Sequence, residues 1–199
     1  MKNGANKLFA GALMALIAVA PATARSAGKI SVCVAARDEP PTLVLLRAEA
    51  ISAQMFASAG VSVEWLSQKA AACRGARQAN TVALGFMTNS PADLHPGALA
   101  YAQPHEDKIV VMFDRIEHYV AKSDKAVLAH VMTHEIAHLL EGVSRHSETG
   151  VMKAKWDARD FDLMTYHPLL FAPEDIELIR HGMVRRAQYS GAATAREAY

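Results

Sequence analysis

The sequence has no excess of charge of one sign, no internal repeat and no low-complexity segment. Its 21 basic and 20 acidic residues give a formal net charge of +1. This balance argues against electrostatic docking to nucleic acid or to an anionic membrane, so we expect neither as a partner. Hydrophobic residues make up 51% of the chain, which argues against disorder, and 199 residues suit one packed domain.

Long apolar runs are also scarce. The run at residues 8–20 is short for crossing a bilayer core of roughly 30 Å as a helix. Lys2 and Lys7 precede it, and small residues ending at Ala24 follow it, an order typical of a secretory signal peptide. We therefore predict a signal peptide over residues 1–24 and an exported chain, periplasmic or secreted, with no stable membrane anchor after cleavage. An uncleaved anchor is the alternative.

The mature chain, residues 25–199, is predicted to form a single domain of the α/β (α+β) class. Residues 25–142 are expected to form a mixed twisted sheet, a backing helix and an active-site helix, and residues 143–199 a mostly helical part. Segments rich in β-branched residues with alternating apolar and polar positions predict strands. Apolar residues at helical spacing, between a proline that starts and a glycine that ends the segment, predict helices. The strands are expected at residues 29–36, 61–66, 81–87, 98–103 and 108–114, and the helices at residues 40–60, around residue 134 and at residues 172–187.

The candidate site lies in HEIAHLLEGVSRHSETGVM, residues 134–152. His134 and His138 are four residues apart, so they project from one helix face and can bring two imidazole nitrogens to one zinc ion. Glu135 stands beside the first histidine, where its carboxylate can take a proton from the water that a catalytic zinc activates. His130 lies one turn earlier, and we expect it to support a ligand or to lie on the polar face rather than to bind the ion.

A catalytic zinc needs a third protein ligand and one open position. Gly142 is the natural end of the helix, because glycine takes the left-handed cap conformation without penalty. His146 follows four residues later, so we predict His134, His138 and His146 as the ligands of Zn²⁺. Glu174, on a later helix, is the second choice for the third ligand. The other candidates are Glu148, Asp157, Asp160 and His167.

This segment resembles the metzincin zinc-endopeptidase signature, HExxHxxGxxH followed by a methionine-containing turn. It is most similar to the matrixin branch, where a serine follows the third histidine as Ser147 follows His146. The sequence departs from the pattern, because Gly142 comes one residue late and His146 two residues late, so the intervening loop must bulge. The resemblance implies a sheet ahead of the active-site helix, with residues 98–103 as an antiparallel edge strand that binds peptide through main-chain hydrogen bonds.

Two methionines compete for the turn that the resemblance implies. We predict Met152, because the glycine near it permits a tight turn, and Met164 is the alternative. Tyr166 is a candidate oxyanion donor, because tyrosines near such turns take that role in some metzincins.

The chain has two cysteines, Cys33 and Cys73. In an oxidising compartment they can form a disulfide, which would close a loop of about forty residues and stabilise the fold by about 4 kcal/mol. The alternative is a free thiol that reaches the metal as an inhibitory ligand.

Together these patterns predict an exported zinc-dependent endopeptidase, a hydrolase that acts on peptide or protein substrates. The alternative is a non-catalytic exported zinc-binding domain that presents its cleft to a protein partner, which the longer spacing before His146 favours. A third interpretation is a pH-sensitive histidine surface without metal. The sequence indicates neither a substrate nor an oligomeric state.

Overall fold

The computed structural model describes residues 28–35, 37–74, 80–121 and 126–197. The predicted signal peptide lies outside these residues. So do Ser123 and Asp124, either of which can cap the helix that follows them. Within the described ranges, no helix is both long enough and apolar enough to cross a membrane.

A five-stranded mixed sheet forms the centre of the fold. Its strands are β1 (Gly28–Val34), β2 (Val61–Ser67), β3 (Thr81–Met87), β4 (Ala100–Gln103) and β5 (Lys108–Met112), in the order β2-β1-β3-β5-β4. All neighbouring pairs are parallel except β4 and β5, which are antiparallel. The five predicted strands are present, and β4, like β2, lies at an edge of the sheet.

In the described part of the chain, five α-helices accompany the sheet. They are α1 (Thr42–Ser58), α2 (Phe113–Ala121), α3 (Ala126–Glu141), α4 (Ala158–Tyr166) and α5 (Pro173–Glu197). The predicted strand 108–114 is wrong at its end, because the chain turns into α2 at Phe113. Phe113 and Ile116 are buried at helical spacing, and Asp114 accepts hydrogen bonds from the backbone and hydroxyl of Ser90.

Helix α3 lies at the centre of the packing, against α1, α5 and β4. It is buried on almost every side, which suits its run of apolar residues. Thr133 on α3 donates a buried hydrogen bond to Ser52 on α1, at 2.9 Å. Gly182 lets α5 approach the end of α3 closely, since a Cβ there would lie 1.6 Å from the carbonyl oxygen of Leu140. The histidine-bearing helix is therefore fixed by neighbours on several sides.

Cys33 and Cys73 are joined in a disulfide, with their Cα atoms 5.8 Å apart. The bond ties β1 to the short 3₁₀ turn that follows β2. No thiol is left free among the described residues to act as a metal ligand.

Candidate metal centre and its cleft

Helix α3 supplies two convergent imidazoles. His134 donates a hydrogen bond from Nδ1 to the carbonyl oxygen of Val151, at 2.8 Å, which leaves its Nε2 as the electron-pair donor. This Nε2 lies 3.0 Å from Nε2 of His138. Two nitrogens bound to one zinc at tetrahedral angles lie about 3.3 Å apart. The distance between the two Nε2 atoms is therefore close to that expected for two ligands of one zinc ion.

The third imidazole arrives from the loop after α3. Gly142 ends the helix with a φ of +70°, and its N–H donates to the carbonyl oxygen of His138, at 3.0 Å. The ring of His146 then stacks on His134, with centroids 5.3 Å apart, and meets His138 edge-on. One nitrogen from each of the three histidines lies within 4.8 Å of the others. The two extra residues before His146 therefore do not keep it from the cluster.

The charge state of these rings suits a metal ion. Burial lowers the pKa of His134 to about 4, and burial also lowers the pKa of His138. Both rings are therefore neutral near pH 7, the form that binds a metal. Three imidazoles are a donor set suited to zinc. Among the described residues, these histidines are the one group of three or more candidate ligands that converge.

Glu135 lines the same cleft as the three histidines. Burial raises the pKa of its carboxyl to about 7, although a hydrogen bond with the backbone of Ala102 on β4 lowers it in part. A carboxyl with this pKa can accept and release a proton near neutral pH. It is also tied to the edge strand against which an extended peptide could lie.

The histidines lie in an open cleft of about 980 Å³. Most of residues 95–102, a segment that includes most of β4, line the cleft, and we call this segment the strand wall. The segment 142–156, which carries His146, also contributes lining residues, and we call it the ligand wall. Trp156 stands on the ligand wall with its ring edge-on to His134, at a centroid distance of 5.8 Å.

A turn at residues 147–152 supports the ligand wall. The N–H of Ser147 donates to the carbonyl oxygen of Met152, at 2.8 Å, and Met152 is fully buried. Gly150 has a φ of +76°, and a Cβ there would lie 2.2 Å from the carbonyl oxygen of Leu170. The turn around Met152 therefore includes Val151, whose carbonyl oxygen accepts the hydrogen bond from His134. Met164, the alternative, is a buried core residue on α4.

Other predicted site residues lie elsewhere. Tyr166 is 85% exposed at the end of α4 and is not among the residues that line the cleft. Glu174, the second choice as ligand, pairs with Arg145 at 3.6 Å. The remaining candidates are also outside the histidine cluster: Glu148 and His167 are exposed, and Asp157 and Asp160 pair with Lys153.

His130 does not lie on a polar face, and that alternative for it is wrong. The side chain is fully buried because α3 is covered on this side by the segment that precedes α5. Its Nδ1 donates to the carbonyl oxygen of Ala126, at 2.7 Å, and its Nε2 accepts from the N–H of Leu169, at 2.9 Å. Burial lowers its pKa to about 4, so the ring is neutral and both nitrogens have a partner.

The sequence reasoning missed two charged residues that hold the walls. Asp175, fully buried in the first turn of α5, accepts from Ser147 Oγ at 2.5 Å, from Arg145 Nη1 at 2.9 Å and from the N–H of Ala172 at 3.1 Å. An acid in the first turn of a helix is favoured by the helix dipole, and this alone predicts no partner for Asp175. No local pattern indicated a contact with a residue 28 positions away.

Arg115, in the first turn of α2, holds the strand wall. Its guanidinium donates to four backbone carbonyls at 2.8–3.0 Å. The acceptors are Pro91, Leu94, His95 and Ala98. The predicted strand 108–114 covers only the first two residues of α2, and no helix is predicted over the rest of α2, so no sequence signal indicated Arg115.

Comparison with known proteins places the fold. No family model matches the chain, and no curated protein matches its sequence. Among solved structures, an archaemetzincin from Methanopyrus kandleri superposes with a TM-score of 0.53 at 16% identity, over 81% of this chain and 98% of that one. The fold is that of an archaemetzincin.

Two further structures are similar at lower scores. An archaemetzincin from Archaeoglobus fulgidus, solved with malonate, matches at a TM-score of 0.49 and 17% identity, over 76% of this chain and 99% of that one. A zinc-dependent peptidase from Methanocorpusculum labreanum matches at 0.47 and 16% identity, over 75% and 99%. The strand and helix order, together with the Methanopyrus kandleri match, confirms the predicted mixed α/β, zincin-like architecture, whereas the matrixin-like character of the signature stays a prediction.

Proposed function

We propose that this chain is an exported zinc-dependent endopeptidase. The observation that carries the proposal is the convergence of His134, His138 and His146 in an open cleft, with the carboxyl of Glu135 beside them. The likeness of the fold to an archaemetzincin supports it. Export is supported by the signal-like order of residues 1–24 and by the disulfide, since disulfides persist in oxidising compartments.

In the proposed reaction the three histidines hold zinc, and each residue around it has a separate task. Zinc, when bound, supplies a Lewis acid that polarises the peptide carbonyl and makes a water nucleophilic near neutral pH. Glu135 would take a proton from a water in the cleft and pass it to the leaving amine. The hydrogen bond from His134 to Val151 fixes the ring so that Nε2 faces the cluster.

The edge strand provides the means of holding a peptide. β4 is paired on one side only, with β5, so its other edge can hydrogen-bond an extended chain. Because Glu135 is tied to Ala102 in β4, a peptide on this edge would pass close to the proposed base. The alternative, a zinc domain without catalysis, rested on a misplaced third histidine, and the position of His146 in the cluster removes that support.

The decisive experiment compares wild type with Glu135→Gln and His146→Ala. Wild type is expected to carry about one zinc per chain and to cleave unstructured peptides. Glu135→Gln should keep the zinc and lose turnover, because the amide cannot accept the proton. His146→Ala should bind zinc far more weakly. Full turnover by Glu135→Gln would contradict the assigned base, and zinc held at wild-type affinity by His146→Ala would contradict the assigned ligands.

A further inference from the structure

The ionisable side chains of the cleft are unevenly distributed in sign. Those among its described lining residues are His95, Tyr101, His134, Glu135, His138, His146, Lys153 and Lys155. Glu135 is the one carboxylate in this set, and the proposed reaction occupies it. The remaining groups are basic or neutral, and a bound zinc ion would add further positive charge.

The two lysines of the ligand wall differ in their environment. Lys153 donates to Asp157 at 3.0 Å and also contacts Asp160, so its charge is compensated. Lys155 is exposed and lines the cleft, and no described carboxylate forms an ion pair with it. An ammonium without a partner at the rim of a cleft that is otherwise poor in carboxylates is available to a ligand.

We propose that Lys155 makes this cleft selective for peptides that carry a carboxylate next to the bond to be cut. The proposal rests on the peptidase function proposed above and assigns its substrate class. Lys155 lines the same cleft as β4 and the three histidines, and the next residue, Trp156, has its ring edge-on to His134 at a centroid distance of 5.8 Å. A peptide paired with β4 beside the proposed metal site would therefore share the cleft with the Lys155 ammonium. The carboxylate can belong to an aspartate or glutamate side chain, or to the C-terminus of a short peptide.

The expected effect is moderate, because an ion pair at an exposed lysine is screened by water and salt. A preference of about five-fold for a carboxylate over a neutral isostere is the size that such a pair provides. It should weaken at about 1 M salt, where the Debye length falls to about 3 Å. Discrimination against a lysine at the same position should be larger, because repulsion replaces attraction.

The test uses zinc-loaded wild type, Lys155→Glu and the control Lys69→Glu, a charge reversal at an exposed lysine that does not line the cleft. One peptide is made with glutamate, glutamine or lysine at each position flanking the cleaved bond, and kcat/KM is measured for each. Wild type and Lys69→Glu should prefer glutamate over lysine, and Lys155→Glu should invert the order. A shorter peptide ending next to the cleaved bond, made as free acid and as amide, distinguishes a C-terminal carboxylate from a side chain.

An unchanged glutamate-to-lysine ratio in Lys155→Glu would overturn the proposal while leaving the peptidase function intact. Binding of the same peptides to zinc-loaded Glu135→Gln, with and without Lys155→Glu, gives a second measurement that does not need turnover. If wild type cleaves none of the peptides, the proposed function fails. The binding ratios then still decide whether Lys155 recognises a carboxylate.

Discussion

The strand wall and the ligand wall of the cleft are each held by one charged side chain, but the two side chains differ in charge and in burial. Each includes an irregular stretch that is held by a charged side chain in the first turn of a helix, Arg115 of α2 or Asp175 of α5. Arg115 donates to backbone carbonyls in partly exposed positions, which water can also satisfy. Asp175 is fully buried and accepts from a serine, an arginine and an N–H. The wall that carries a candidate ligand is therefore the one that would be costlier to disturb.

The largest effect is expected from Asp175→Ala. The change leaves Arg145 and Ser147, which flank His146, without their buried acceptor. Asp175 is fully buried but Arg145 is 36% exposed, and the loss of a hydrogen bond to a charged group costs about 1.5–3 kcal/mol. The free energy of unfolding should therefore fall by about 3 kcal/mol. Zinc affinity should fall about 10–100-fold, because residues that orient a ligand have effects of this size. Urea unfolding and competition with a zinc-binding dye measure the two quantities.

Glu174→Ala is the matched control for this prediction. Glu174 is the preceding acid on the same helix turn, but it is about half exposed and lies 3.6 Å from Arg145. Its removal should change stability by less than about 1 kcal/mol and leave zinc affinity unchanged. Equal losses in the two variants would mean that Asp175 has no special role in the ligand wall.

A second prediction concerns pH, because the ligand wall also depends on a neutral histidine. Nε2 of His130 accepts from Leu169, whose neighbour Leu170 accepts from Val151. Burial lowers the pKa of His130 from 6.5 to about 4 in the folded chain. Between these values the unfolded chain binds the proton more readily, so the free energy of unfolding must fall as pH falls from 6.5 to 4. The loss approaches about 3 kcal/mol and is absent above pH 6.5.

The measurement is urea unfolding of metal-free protein at several pH values. His130→Gln keeps a hydrogen-bond acceptor near Leu169 but does not titrate, so its stability should fall less steeply over this range. His134 also has a lowered pKa, but it is present in both proteins and does not affect their difference. His181→Gln, at an exposed position on α5, is the control and should match wild type. Identical slopes for wild type and His130→Gln would show that His130 is not the group responsible.

The same contrast between the walls explains what could be read from the sequence. The strands and α3 were predicted because their periodicity is local, and the HExxH spacing placed two histidines on one helix face. His146 was predicted because Gly142 ends the helix shortly before it. Helix α2 was missed, because the apolar residues of β5 continue into Phe113 without a break.

The residues that hold the two walls could not be found in this way. Asp175 contacts Ser147 across 28 positions, and Arg115 contacts Pro91 across 24. Such pairs depend on how the helices pack, and no period in the sequence records them. Their residue types gave no further signal, since an acid in the first turn of a helix is favourable wherever it occurs.

The smallest effect on stability is expected from Arg115→Met. This variant also distinguishes the role of the strand wall most clearly from that of the ligand wall. The variant loses donors to four carbonyls of residues 91–98, which water can partly replace, so stability should fall by only about 1–3 kcal/mol. Zinc affinity should not change, because none of the three histidines lies on this wall. KM for peptides should rise about ten-fold with little change in kcat, since the loop leads directly into the edge strand that would hold the substrate.

Amide hydrogen exchange at residues 91–98 provides a measurement of this loosening that is independent of catalysis. Exchange there should quicken in Arg115→Met and partly recover in Arg115→Lys, whose ammonium has fewer donors and no planar fork. Arg47→Met, at an exposed position on α1, is the control for loss of a surface arginine. If Arg115→Met weakened zinc as strongly as Asp175→Ala does, the walls would not be separate supports. The cleft would then have to be treated as one cooperative unit, in which a change on either side reaches the ligands.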